Sequence, residues 1–192
     1  MKKFCLLLFL PFLAGCATLS QDQCQQGHWF DIGLEDGRKG RAMARLEQHS
    51  KACAKYGLGV DAQGYTEGRN QGLQIYCRLE NAVSTGLKGE RYQGVCPSEL
   101  DVRFEELNAA AYAIYTLRER LDSIDDQLDR KEYQLDSTVY QLGKDEKARD
   151  AYYRLRRDIR ELDSEREQVQ WDLHSAGRYL DQLTEEYNIP VR

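Results

Sequence analysis

From Leu100 an aliphatic residue recurs at every seventh position, Leu100, Leu107, Ile114, Leu121, Leu128, Leu135 and Leu142. A helix turns once in about 3.6 residues, so a seven-residue repeat lays one apolar seam along the helix, and a second helix must cover it. Phe104, Ala111, Leu117, Ile124 and Val139 form a weaker companion stripe. After Gly143-Lys144-Asp145 a second column runs Ala148, Leu155, Leu162, Val169, Ala176 and Leu183, accompanied by Tyr152, Ile159, Leu173, Leu180 and Tyr187. Reflection about Gly143 sets Leu107 opposite Leu180, Ile114 opposite Leu173, Leu128 opposite Ile159 and Leu135 opposite Tyr152. The spacing predicts an antiparallel coiled-coil hairpin over residues 98–192, turning near 143–145 and extending roughly 65 Å. Ser98 and Asp101 read as an approximate capping box at its start. A continuous helix pairing in trans is the rival, and Gly143 and the matched arms argue against it. Arg166 interrupts the second column opposite Leu121, either meeting Asp122 or Asp125 as a register-setting core charge or, more simply, snorkelling to solvent.

The other end of the chain is set apart by composition. Met1-Lys2-Lys3 is a basic segment, and Phe4 to Phe12 is an apolar run of secretory-signal length, too short to span a bilayer, which needs about 20 residues. The run ends in Leu13-Ala14-Gly15-Cys16, which resembles the lipobox of bacterial lipoproteins. That resemblance implies cleavage of residues 1–15, a diacylglycerol thioether on Cys16 and a third acyl chain on its amine. With about 0.8 kcal/mol per buried methylene, two or three chains hold a protein on a membrane where one does so marginally. Ala17 stands where an aspartate is the usual inner-membrane retention signal, so the expected location is the outer membrane with the chain facing the periplasm. Residues 16–23 are then the tether.

Six cysteines are present. With Cys5 in the signal and Cys16 lipidated, Cys24, Cys53, Cys77 and Cys96 remain, and in an oxidising compartment four cysteines read as two disulfides with three possible connectivities. Zinc held with His49, four residues before Cys53, is the competing reading, and the absence of any Cys-x-x-Cys pair speaks against it. Between these cysteines the glycines fall at helical spacing, Gly33, Gly37 and Gly40, then Gly64, Gly68 and Gly72. Helices are expected over Asp31 to about Tyr56 and Asp61 to about Cys77, with Asp61 as N-cap. Glycine inside a helix costs about 1 kcal/mol against alanine, a cost offset if bare stripes let two backbones approach closely. Turns in an irregular stapled domain are the alternative. Taken as an antiparallel pair, the two helices would place Cys53 and Cys77 about 24 Å apart, too far to bridge. The expectation is then Cys24–Cys77 with Cys53–Cys96.

Three segments, Trp29-Phe-Asp-Ile-Gly33-Leu-Glu-Asp36-Gly37, Tyr65-x-x-Gly68-x-x-x-Gly72-Leu73-x-x-Tyr76-Cys77 and Gly86-x-x-Gly89-x-x-Tyr92-x-x-Val95-Cys96-Pro97, together resemble a family of short proteobacterial lipoproteins catalogued as a domain of unknown function, number 2799. The resemblance covers residues 24–97 and implies no activity, substrate or catalytic residue. The fold class expected for the whole is all-α: a small disulfide-stapled, Gly-rich helical domain over 24–97, then the hairpin.

Charge narrows the partners. Residues 98–192 hold 15 Lys+Arg against 23 Asp+Glu, and residues 24–97 hold 10 against 8. An acidic shaft on a near-neutral base argues against nucleic acid. Arg154, Arg156, Arg157 and Arg160 form a local basic patch interleaved with Asp150, Asp158 and Glu161, which reads as a charge-laced coiled-coil surface. His28, His49 and His174 are scattered, and no catalytic, cofactor-binding or metal-ligating set assembles. The expected function is a structural or interaction module of the cell envelope, attached to the membrane by lipid and meeting an envelope protein through the hairpin tip at Leu142, Lys144 and Lys147. The alternative is a small glycan- or ligand-binding module in residues 24–97 that uses Trp29, Tyr65, Tyr76 and Tyr92, although these aromatics suit a core better.

Overall fold

The computed structural model describes residues 18–142 and 146–190. The chain is all-α, and its first short helix, α1 (Gln21–Gln26), opens with a capping box in which Ser20 accepts from the Gln23 N–H and the Gln23 side chain reaches back to Ser20. Then follow α2 (Trp29–Arg38), α3 (Ala44–Ala54), α4 (Ala62–Tyr76) and α5 (Leu79–Leu87). Asp61 caps α4 as expected, accepting from the Gly64 N–H at 3.0 Å. The single helix expected from Asp31 to Tyr56 is instead two. It breaks after Arg38, where Gly40 takes φ +63° with the Tyr76 ring packed against its Cα; a Cβ there would lie 2.2 Å from Tyr76 Cζ. Only glycine fits that bend without both strain and collision.

The break decides the arrangement of the domain. A Cβ built on Gly33 would lie 2.0 Å from the Tyr65 carbonyl oxygen, one on Gly37 2.2 Å from that of Arg69, one on Gly68 1.9 Å from that of Phe30, and one on Gly72 2.3 Å from that of Leu34. Each glycine therefore faces the carbonyl three residues before its counterpart, and the contacts run in the same direction along both helices. The close glycine-on-glycine packing expected from the spacing is present, but α2 and α4 are parallel, with α3 as the return between them.

The disulfide pairing expected from an antiparallel hairpin is overturned for the same reason. Because α3 carries the chain back toward the start of α2, Cys53 arrives beside Cys24, and those two form one bridge. Cys77, at the far end of α4, is bridged to Cys96, returned to it by α5 and the segment that follows. Cys24 and Cys77 sit at opposite ends of the parallel pair and cannot meet.

Two long helices complete the chain, α6 (Ser98–Val139) and α7 (Glu146–Glu186). They pack antiparallel on each other, as expected from the matched arms about Gly143. Arg120 donates to Glu165 at 2.8 Å, Lys131 to Asp158 at 2.6 Å, and Tyr187 to Glu106. Ile124, Leu128 and Val169 are buried between the helices with Leu117, Leu121, Ile159 and Leu162 around them. The turn at Gly143-Lys144-Asp145 lies outside the described residues. The capping box expected at Ser98 is not formed: Pro97 holds the N-cap position, and Asp101 instead accepts from the Tyr92 hydroxyl. Arg166 reaches toward solvent, its side chain 39% exposed, and lies 3.6 Å from Asp125 and 3.2 Å from Asp163.

The stapled domain and the hairpin share a core. Leu73 and Tyr76 of α4 and Ala82 of α5 are buried with Phe104, Leu107, Ala111 and Ile114 of α6 and Leu180 and Leu183 of α7. Asn108, 3% exposed, accepts from the Tyr92 N–H and donates to Thr85 and to the carbonyls of Ala82 and Glu90. One buried amide thus ties α6 to α5 and to the loop beyond it. A second cluster, Leu19, Cys24, Trp29, Cys53 and Tyr65, packs around the first disulfide. No helix among the described residues is long and apolar enough to cross a membrane.

Candidate functional site

The parallel packing of α2 and α4 forces one acidic residue inside. Asp36 lies three residues after Gly33 and beside Gly37, so it turns toward α4 and is 9% exposed. A carboxylate there must be hydrogen-bonded. Tyr65 of α4 donates its hydroxyl to Asp36 Oδ2 at 2.8 Å, and His49 of α3 places Nε2 at 2.8 Å from the same oxygen. Burial pushes the Asp36 carboxyl up, but the bonds from His49 and Tyr65, with the charge of nearby Arg45, outweigh it and hold the carboxyl below its usual range. Burial, then the bond to Asp36, pushes the Tyr65 phenol well up.

The other side of His49 faces the N-terminal segment. Its Nδ1 lies 2.8 Å from the hydroxyl of Thr18. With Asp36 ionised, Nε2 carries a proton. A neutral ring then accepts from Thr18 through Nδ1 and a charged ring donates to it, so the hydroxyl serves either state. Thr18, His49 and Asp36 have the hydroxyl–imidazole–carboxylate connectivity of a hydrolytic triad. His49 is 2% exposed, however, and is locked among α2, α3 and α4. What the arrangement does chemically is join three helices and the start of the described chain into one hydrogen-bonded body. The sequence offers a zinc site of His49 with Cys53 only as the disfavoured alternative to disulfides. Cys53 is instead in a disulfide, and among the described residues no cluster of His, Cys, Asp and Glu is arranged to hold a metal. Asp36 and Thr18 were missed, although an acid on a glycine stripe is itself a sign that a buried donor must exist.

Two surface features lie away from this network. One is a groove of about 340 Å³ lined by Arg91, Tyr92, Glu105, Asn108, Ala109 and Tyr112, with the Arg91 guanidinium 4.4 Å above the Tyr112 ring centroid. Of the four aromatics singled out in the sequence only Tyr92 borders it; Trp29, Tyr65 and Tyr76 are core residues. The other feature is the distal part of the hairpin. Residues 130–160 hold nine Lys+Arg against six Asp+Glu, whereas the rest of residues 98–192 hold six against seventeen. Tyr133 on α6 and Tyr140, seven residues on at its C-cap, are each 79% exposed, and Tyr153 on α7 is 65% exposed. Between the helices there a second groove, of about 370 Å³, is lined by Gln134, Ser137, Thr138, Ala151, Arg154 and Leu155 with Asp158. Leu142 is half-buried just after α6, and Lys147 is exposed in the first turn of α7. Lys144 and Cys16 lie outside the described residues.

Taken together, these features define an all-helical protein in which a disulfide-stapled pair of parallel, glycine-packed helices carries a long antiparallel hairpin. Residues 28–112 match the family model described as Protein of unknown function (DUF2799). The match starts just before α2 and runs past Pro97 into α6. It therefore takes in both glycine helices, Asp36, His49, Tyr65 and Asn108, and most of the shaft lies beyond it. No curated protein and no solved structure matches the chain significantly.

Proposed function

We propose that the protein is a lipid-anchored interaction rod of the cell envelope, held by acyl chains on Cys16 at the outer membrane and facing the periplasm, and that it acts by contact with another envelope protein and not by catalysis. The lipobox-like Leu13-Ala14-Gly15-Cys16 supports the anchor. The observation that carries the contact is the distal hairpin, whose exposed tyrosines and excess of cations contrast with an acidic shaft. Exposed aromatic and arginine side chains are the groups that most often anchor protein interfaces. At 1.5 Å per residue, the 42 residues of α6 set that end about 60 Å from the start of the helix. Site-specific photocrosslinking in intact cells from Leu142, Lys144 and Lys147, with Arg120 on the shaft as control, tests the reading. A discrete protein adduct from the tip alone is expected. No adduct, or equal labelling from Arg120, overturns the tip as the contact.

The Arg91–Tyr112 groove supports a second reading, a small ligand site at the base with the hairpin as spacer. Its mark would be a thermal shift with soluble envelope glycan fragments that Arg91→Ala abolishes.

A further inference from the structure

Three consecutive residues at the start of the described chain are each held by a different interaction. Thr18 is hydrogen-bonded to His49, Leu19 is 6% exposed in the cluster around the Cys24–Cys53 disulfide, and Ser20 caps α1. Through His49 and Asp36 the first of these reaches Tyr65, so Thr18 is coupled to α2, α3 and α4 at once. A flexible tether between anchor and domain would make none of these contacts. Only Ala17 stands between Thr18 and Cys16, and at about 3.3–3.6 Å per residue the Cα atoms of Cys16 and Thr18 are within roughly 7 Å.

We infer that Thr18, His49 and Asp36 form a latch that fixes the anchor to the folded domain, seating the end made by α1 and the last turn of α3 directly on the headgroup layer of the membrane. This rests on the reading that Cys16 is lipidated. The occupant of that face is a bilayer surface containing anionic lipid. Lys51, Lys55 and Tyr56 flank Cys53 at this end; all three are exposed, and neither lysine forms an ion pair with another of the described residues. Cations near an anionic leaflet and a tyrosine at headgroup depth are the groups such a surface favours. A rigid seat also fixes the direction in which the hairpin leaves the membrane, which a loose tether would leave free.

The test uses the full-length protein in vesicles of phosphatidylethanolamine and phosphatidylglycerol, three to one, carrying a dansyl headgroup as energy acceptor. The chain has two tryptophans. Trp171→Phe leaves Trp29, in the cluster with Cys24 and Leu19, as sole donor, and Trp29→Phe leaves Trp171 on the shaft. Strong transfer from Trp29 and weak transfer from Trp171 are expected. Inserting a Gly/Ser linker of about ten residues between Ala17 and Thr18, with a root-mean-square span of about 17 Å, should cut the Trp29 signal by at least half. Thr18→Val, which keeps shape and removes the hydroxyl, and the pair Lys51→Glu and Lys55→Glu should each lower it in the same direction. Weak transfer from Trp29 in the parent protein overturns the seat. Strong transfer unchanged by both linker and Thr18→Val overturns the latch. Intact mass, measured on the same sample, separates these results from failure of the anchor: a mass without the acyl groups overturns lipidation itself and the inference with it.

Discussion

Replacing Gly68 by alanine tests the central feature of the domain, the contact of two parallel helices through bare backbone. The new Cβ would fall 1.9 Å from the Phe30 carbonyl oxygen, and an acceptable carbon–oxygen contact is about 3.3 Å, so α2 and α4 must separate by about 1.4 Å. A gap of 0.5–1 Å already removes a quarter to a half of the dispersion energy at each contact. The same movement stretches the 2.8 Å bond from Tyr65 to Asp36, which joins the same two helices, and a buried acceptor left short of a donor costs about 1–3 kcal/mol. Against this, alanine returns about 1 kcal/mol of helix propensity. The net is a loss of about 2–4 kcal/mol, or roughly 5–15 °C in melting temperature. Gly33→Ala should behave alike, since its Cβ would meet the Tyr65 carbonyl at 2.0 Å. Gly177, within α7, has nothing within 4 Å of its added Cβ, so Gly177→Ala should instead raise the midpoint by roughly 2–4 °C. Thermal melts followed by circular dichroism at 222 nm, with both disulfides intact, decide between them. If Gly68→Ala melts with or above the parent, the close-approach argument is wrong.

Non-reducing peptide mapping should recover Cys24 linked to Cys53 and Cys77 linked to Cys96, and removing the first bridge as a double serine variant should cost roughly 3–4 kcal/mol; a peptide joining Cys24 to Cys77 would refute the parallel order of α2 and α4. The pH dependence of stability follows from Asp36 and Tyr65. The folded carboxyl lies below its ordinary 3.8, so its contribution is fully present above that value and is lost as pH falls through the folded pKa. The folded phenol lies above its ordinary 10.0, so that contribution is present below pH 10 and is lost as pH rises beyond it. Asp36→Asn should flatten the acid limb in urea titrations between pH 2 and 5 while lowering stability at neutral pH, and an unchanged acid limb would show that other carboxylates govern it.

Much of the fold is legible in the residue order because it depends on local periodicity. The seven-residue columns about Gly143 specify two long helices that cover each other, and Leu128 beside Ile159 in the shaft follows from reflection alone. The glycine spacing in 33–37 and 68–72 likewise identifies which surfaces meet, since a bare stripe in a helix has little use but close contact. Four cysteines in a short stretch announce two bridges. The matched columns about Gly143 carry direction, but the glycine stripes and the cysteine count do not. A glycine stripe looks the same to a parallel partner as to an antiparallel one, and the choice rested on whether the chain between Arg38 and Ala44 reverses. That reversal depends on Gly40 lying under the ring of Tyr76, thirty-six residues away in sequence. With it went the disulfide pairing and the meeting of Thr18, His49, Asp36 and Tyr65, whose separations in the chain run to dozens of residues. Spacing along a single chain can say that a buried acid needs donors, but which helices supply them is decided only when α3 folds back between two parallel neighbours and the low-dielectric interior makes every unpaired polar group costly.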